Sequence, residues 1–338
     1  MTTPTPPDTP AQAAPLENGN HLVLLFGMPR SGTTWLGKIF DSHPDTLYRH
    51  EPDSFGRLNF MPIAPDPREA MRWQEPLVRF ARELPSFRDT KVVATLPQFP
   101  KSYLGRSSLY WNALAIRWAK LRSRLGGEAR AWLRTPRAGE ARLVWKSIES
   151  VARLGTLGTL MPRARGVLLV RHPCGYVASV ARGKRLGRFT DGESVGEDLG
   201  LLEKLCDTPT GEQYGIDLPR LKAMQPVERL AWQWVLSNDK ALAEIEAREG
   251  IRALTYEDLC EDPVATTRAL FTDLGLPMTE QTARFIAAST SRHRSRFYSV
   301  YKDPRRAAQA WRTELPAEVQ RTIARVTAGT RAGALFEG

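Results

Sequence analysis

The residues best suited to chemistry begin at position 27, where Gly27-Met28-Pro29-Arg30-Ser31-Gly32-Thr33-Thr34-Trp35 follows a short apolar run and opens a helical pattern. A strand, a tight loop and a helix in that order aim unpaired backbone N–H groups and the helix dipole at one point, which makes a seat for phosphate. The Gly-x4-Gly spacing is that of a nucleotide P-loop, but position 33, where that motif carries Lys, is Thr. In a nucleoside triphosphatase the Lys and Mg²⁺ handle the β and γ phosphates, so the missing Lys speaks against ordinary phosphoryl transfer. Arg30, inside the loop, supplies positive charge instead. A second pair, Arg171 and Ser179, stands eight residues apart after the apolar run 166–170. In an open α/β sheet, ligands bind at such a strand end, and a guanidinium fork beside a hydroxyl suits phosphate oxygens.

These groups need a frame. Apolar runs at 22–26, 142–145, 166–170 and 251–255 read as buried strands, separated by helical patterns expected at 33–41, 174–183, 227–247, 264–274, 279–288 and 316–328. The alternation predicts an α/β fold: a P-loop-like three-layer sandwich with a central parallel sheet flanked by helices. Residues 21–335 read as a single domain behind a Pro-, Thr- and Ala-rich leader at 1–20, expected to be disordered. The stretch 56–140 interrupts the strand-helix rhythm and reads as a helical, basic insertion or acceptor lid. Residues 183–215, Gly-rich, read as a second mobile loop.

With 338 residues and 42% hydrophobic content the chain can bury a sizeable core. Its net charge of +11 and pI near 9.8 point to an anionic partner: a phosphate-bearing cofactor, nucleic acid, a membrane surface or an acidic substrate. Residues 101–142 hold ten Lys or Arg against Glu128 and Glu140, contributing +8 of that +11. The longest apolar runs are strand-sized, whereas a membrane span needs about 20 residues, so the expectation is a soluble, cytoplasmic protein. Cys174, Cys206 and Cys260, odd in number and far apart, suit unpaired thiols in a reducing compartment.

The run Pro29-Arg30-Ser31-Gly32-Thr33-Thr34-Trp35 resembles the donor loop Pro-[Lys/Arg]-Ser-Gly-Thr-Thr-Trp of sulfotransferases that use 3′-phosphoadenosine 5′-phosphosulfate. The likeness continues in ordered pieces over residues 21–330. It implies Arg30 at the bridging or sulfuryl oxygens and, for the 5′ phosphate, the backbone of Ser31, Gly32, Thr33, Thr34 and Trp35 with the two Thr hydroxyls. It gives Arg171 and Ser179 to the 3′ phosphate and lays Tyr256, in Thr255-Tyr256-Glu257-Asp258-Leu259, against adenine. Lys302-Asp303-Pro304-Arg305-Arg306 before Ala310-Trp311-Arg312 is similar to the last donor loop of carbohydrate sulfotransferases, which assigns Arg305 and Arg306 to the 3′ phosphate. Lys146, in Val144-Trp145-Lys146-Ser147, matches the Lys that stabilises the leaving group, and no metal is required.

Cytosolic sulfotransferases place a His two residues after that Lys, but position 148 here is Ile. The run Ser42-His43-Pro44-Asp45-Thr46-Leu47-Tyr48-Arg49-His50-Glu51-Pro52 is instead similar to carbohydrate 6-O-sulfotransferases, whose Glu is the proposed base. Glu51, expected at a strand end facing the donor, is therefore the candidate base, with partial burial expected to raise its pKa towards a useful value, and His50 is the runner-up. The resemblance implies a soluble, bacterial-like enzyme that moves a sulfuryl group in line to an acceptor hydroxyl, of a carbohydrate or glycolipid first and of a phenol or tyrosyl peptide next. A nucleotide-dependent kinase is the rival of another class. Residues 107–124 are helix-compatible, with apolar residues at 111, 114, 118 and 121 and cations clustered later. They fit packing on the main domain, closure over a glycolipid or peripheral contact with an anionic membrane. No nucleic-acid module is recognised, so no nucleic-acid partner is expected.

Overall fold

Five short segments, four of them apolar runs, pair side by side, all parallel, in the order β2-β3-β1-β4-β5. They are β1 (Leu22–Phe26), β2 (Thr46–His50), β3 (Arg142–Ser147), β4 (Arg165–Val170) and β5 (Ile251–Thr255). The computed structural model describes residues 22–126, 130–131, 133, 135–137, 139–186, 199–291 and 303–337; the leader, residues 187–198 and Lys302 lie outside them.

The connections are helical: α1 (Thr33–Ser42), α2 (Gln74–Glu83), the single turn α3 (Thr90–Val93), α4 (Arg106–Arg124), α5 (Leu154–Leu160), α6 (Pro173–Arg185), α7 (Leu199–Cys206), α8 (Pro209–Tyr214), α9 (Leu218–Ala223) and α10 (Pro226–Ile245). After β5 come α11 (Tyr256–Glu261), α12 (Pro263–Asp273), α13 (Glu280–Ser291), α14 (Pro304–Gln309), α15 (Trp311–Glu314) and α16 (Ala317–Thr327). Side chains alternate across the sheet, as period 2 requires. Leu22, Leu24, Phe26, Trp145, Leu168 and Val170 meet α2, α5, α6, α10 and α16. Val23, Leu25, Val144, Val167 and Leu169 meet α1, α11, α12 and α13 on the other face. Both faces are covered, so the strands read as continuous apolar runs and the architecture is the expected three-layer α/β sandwich.

The second strand extends the sequence reading, which puts Glu51 at a strand end but names no apolar run between 26 and 142. Thr46-Leu47-Tyr48-Arg49-His50 looks too polar for a buried strand, yet its first four residues are buried. Arg49 is accommodated because its guanidinium donates to the carbonyls of Leu84 (3.0 Å), Tyr48 (3.2 Å) and Pro85. A buried charge fully supplied with acceptors erases the apolar pattern without breaking the strand. Residues 183–215 also differ from expectation: α6 runs to Arg185, and α7 and α8 occupy 199–206 and 209–214.

Within 56–140 the first half joins the main core, where Leu77, Phe80 and Leu84 are buried and the Phe80 ring lies 5.1 Å from that of Trp145. The segment is also tied to α1 by buried charges. Lys38 donates to Asp41 (2.6 Å) and to the carbonyls of Thr95 and Pro97 (both 2.8 Å), while Lys101 holds Asp41 from the other side at 3.2 Å. The second half carries α4. The three cysteines are free and buried.

Candidate active site

Because every strand is parallel, the ends of β1 to β5 open on one edge, and β1 has β3 on one side and β4 on the other. That reversal of direction is where ligands bind in doubly wound sheets. The loop leaving β1 fills it. Gly27 has no room for a side chain, since a Cβ there would lie 2.5 Å from the Leu169 carbonyl oxygen. Gly32 sits at φ 93°, and a Cβ would lie 2.4 Å from the ring of Tyr256. Ser31 N–H donates to the Met28 carbonyl at 3.1 Å to close the turn. No side chain caps α1 at Gly32, so the first-turn amides face the strand ends with the positive end of the helix dipole.

Arg30 adopts φ 73°, one of three positive-φ non-glycine residues among those described; the others are Glu51 at 48° and Phe55 at 64°. Two of the three are sequence candidates, as expected if backbone strain collects where side chains must be aimed. Arg30 Nε donates to Ser179 Oγ at 3.0 Å. Arg171 donates to the carbonyls of Arg30 and Ala307, both at 2.9 Å, and its guanidinium lies 4.8 Å from the Tyr256 ring centroid. Its Nε is buried and has no hydrogen-bond partner among the described residues. Arg30, Arg171, Ser179, Gly32 and Tyr256 thus form one cluster, with Thr33 buried and Thr34 exposed at its edge. Trp35 is turned to the core, donating to Ser289 Oγ at 3.1 Å and meeting Tyr256 edge-on.

Arg305 and Arg306 are exposed on α14, and Arg305 donates to the Glu261 carbonyl at 2.9 Å. Ala307, which follows them, carries the carbonyl that takes Arg171. Trp311 stacks on His172 at 4.3 Å, joining the C-terminal segment to the end of β4.

On the other side of the loop, β2 and β3 pair in the register His50↔Lys146, and Glu51 N–H donates to the Lys146 carbonyl at 2.8 Å. Register therefore forces the two side chains together, and Lys146 Nζ forms an ion pair and hydrogen bond with Glu51 Oε1. Lys146 is 1% exposed and Glu51 24%. Burial alone would raise the Glu51 carboxyl, but the neighbouring Lys146 ammonium, helped by His50 and Lys91, brings it below its ordinary 4.5. This corrects the sequence expectation of a raised value: the partner's charge outweighs desolvation. Burial lowers Lys146 from 10.5, opposed by Glu51. His50 accepts or donates at the Tyr48 hydroxyl (2.8 Å), and burial beside Lys146 drops its pKa to about 3, so the ring is neutral near pH 7. His43 is a turn residue, with Nε2 2.9 Å from the Pro277 carbonyl and Nδ1 accepting from Asp45 N–H at 3.1 Å.

Two carboxylates escaped the sequence reading. Asp53 is 2% exposed and accepts from Trp145 Nε1 (3.1 Å), Ser147 Oγ and Ser150 Oγ (both 2.5 Å), which locks the Glu51 turn to the end of β3. Glu149 accepts from Ser54 Oγ at 3.0 Å, and partial burial raises its carboxyl above 4.5. The available signal was acidic residues two positions past Glu51 and one past Ile148, near both strand ends.

In sequence, the description Sulfotransferase family matches residues 23–199. No curated protein matches the chain. In structure the chain is similar to the "Sulfotransferase Domain from the Curacin Biosynthetic Pathway", at 14% identity over 90% of this chain and 96% of that one, with a TM-score of 0.43. It is also similar to the sulfotransferase domain of the Synechococcus PCC 7002 olefin synthase (16%, 94% and 95%, TM-score 0.44). A third similar structure is mouse sulfotransferase SULT7A1 complexed with PAP (11%, 94% and 88%, TM-score 0.42).

Proposed function

The chain belongs to the sulfotransferase family, and from that membership we propose that it moves a sulfuryl group from 3′-phosphoadenosine 5′-phosphosulfate to a hydroxyl of a carbohydrate or glycolipid. The observation that carries this reading is the pair of buried Lys146 and half-buried Glu51, held at the ends of β3 and β2 beside the loop that leaves β1. The groups on the donor side fit an anion: an uncapped helix N-terminus, two arginines and a buried Arg171 Nε with no acceptor among the described residues. When bound, the donor supplies an activated sulfuryl group and a phosphate as leaving group.

In this reading the amides of Gly32, Thr33 and Thr34, with the Thr33 and Thr34 hydroxyls, hold the 5′ phosphate, while those of Ser31 and Trp35 bond the Met28 and Gly32 carbonyls and shape the loop. Arg171 and Ser179 hold the 3′ phosphate, with Arg305 and Arg306 approaching from α14, and Tyr256 lies against adenine. Arg30 and Lys146 balance charge growing on the leaving oxygen. Glu51 receives the acceptor's proton. As that proton arrives, the carboxylate loses its charge and its hold on Lys146, so the ammonium is freed for the leaving oxygen in the same step. The 6-O-type carbohydrate assignment rests on the Glu51-Pro52 likeness, and the segment 56–140 in this reading borders the acceptor.

The test is incubation of purified protein with ³⁵S-labelled donor and glycan and lipid extracts. Label should enter a glycan or glycolipid, be blocked by 3′-phosphoadenosine 5′-phosphate, and vanish in Glu51→Gln. Tight Mg-ATP or Mg-GTP binding with no response to 3′-phosphoadenosine 5′-phosphate would overturn the proposal.

A further inference from the structure

α4 places two opposite faces on one helix. Ile116 and Ala119 are buried against Ala94 and Ala131, so the helix lies along the domain on small and medium side chains. On the far side Tyr110, Trp111, Trp118, Leu121 and Leu125, which follows the last turn, are all exposed, with Trp111 and Trp118 at 66% and 64%. At 3.6 residues per turn these five project within an arc of about 100°, roughly opposite the buried pair. Exposed Arg117 and Arg124 flank one margin of that arc and exposed Arg122 the other. Lys120 is turned back to the Ala94 carbonyl at 3.2 Å.

We propose that this face of α4 docks on an anionic lipid surface, its Trp and Leu side chains seated at the headgroup boundary and its arginines on lipid phosphates. Charge selects the occupant. The helix RSSLYWNALAIRWAKLRSR contains five Lys or Arg and no Asp or Glu, so a second copy of the same face would meet it with like charge. Trp and Tyr, with an apolar ring and a polar tip, belong at such a boundary, and Arg reaches past an apolar stripe to the phosphates. Contact is peripheral, since no helix among the described residues is long and apolar enough to cross a membrane. α4 packs on Val93 and Ala94 through the face opposite the docked one, so docking leaves that packing intact. The proposal does not depend on the sulfuryl-transfer reading.

The test is co-sedimentation of the full chain with vesicles of phosphatidylcholine alone and of phosphatidylcholine with phosphatidylglycerol. Wild type should bind the anionic vesicles and lose binding steeply with added salt. Trp111→Ser with Trp118→Ser should weaken binding by about tenfold or more while leaving the circular dichroism spectrum unchanged, since both rings are already in water. Arg117→Gln, Arg122→Gln and Arg124→Gln together should abolish the preference for phosphatidylglycerol. Anionic vesicles that fail to bind, or a Trp variant that binds like wild type, would refute the proposal. So would a wild-type dimer that the Trp variant converts to monomer, or tighter binding to a single-stranded oligonucleotide than to vesicles.

Discussion

Replacing Glu51 by Gln leaves the Lys146 ammonium, 1% exposed, without its counter-ion. Removing one partner of a fully buried pair costs roughly 3–5 kcal/mol; the 24% exposure of Glu51 lets water reach the site and places the expected loss near ~3 kcal/mol. With an unfolding entropy of about 2.1 cal/mol/K per residue over about 300 folded residues, that loss lowers Tm by about 5 °C. Lys146→Met should cost less, about 1–2 kcal/mol, because the orphaned carboxylate retains solvent. The double variant removes both charges and should lose only about 1 kcal/mol relative to wild type, a coupling of roughly 3–4 kcal/mol. Thermal and urea unfolding of the four proteins measures this. Turnover should follow a different pattern: Glu51→Gln loses about 10²–10⁴-fold while still binding 3′-phosphoadenosine 5′-phosphate, and the double variant is stable but inactive. Single effects that simply add, within about 0.5 kcal/mol, would show that the pair does not hold the β2 and β3 ends together. An active double variant would remove Glu51 as the base.

Asp53→Ala strands Trp145 Nε1, Ser147 Oγ and Ser150 Oγ in a buried site and should destabilise by about 2–4 kcal/mol, read by urea midpoint, with Asp53→Asn intermediate. Gly32→Ala combines φ 93° with a clash on Tyr256, so calorimetric affinity for 3′-phosphoadenosine 5′-phosphate should fall by at least about tenfold. The catalytic pH profile should lack an acid limb near 6.5. The Glu51 carboxyl is held below 4.5 and loses its charge only as pH falls through that lowered value, while His50 stays neutral down to about 3. An inflection near 6.5 in kcat/KM would assign the base to a histidine with an ordinary pKa. Arg171→Ala should weaken binding of 3′-phosphoadenosine 5′-phosphate by about tenfold or more, and Arg171→Lys should not rescue it, because Lys lacks the fork that reaches both the Arg30 and Ala307 carbonyls.

Much of the frame was legible because its signals are local. β1, β3, β4 and β5 are apolar runs covered on both faces, and Gly27 to Trp35 announces a strand, a turn and a helix by composition alone. Arg171 and Ser179 could be paired only through the family resemblance, which carries an Arg and a Ser at this spacing; in the structure Ser179 accepts from Arg30. β2 was legible only as a strand end at Glu51 and not as an apolar run: Arg49 is tolerated there by the carbonyls of Leu84 and Pro85, some thirty-five residues away, and no local pattern encodes that debt. Residue types alone also gave the wrong sign for Glu51. Burial raises a carboxyl and a neighbouring ammonium lowers it, and only the His50↔Lys146 register brings Lys146 close enough to decide the contest. The same holds for α4, whose Trp and Arg residues were visible in sequence but whose outward face was not, because burial of Ile116 and Ala119 sets the rotation of the helix. By itself the sequence determined the kind of loop and the class of sheet, which depend on neighbours within a few residues; the charge state and aim of the site residues depend on strand order and packing, which only the tertiary structure decides.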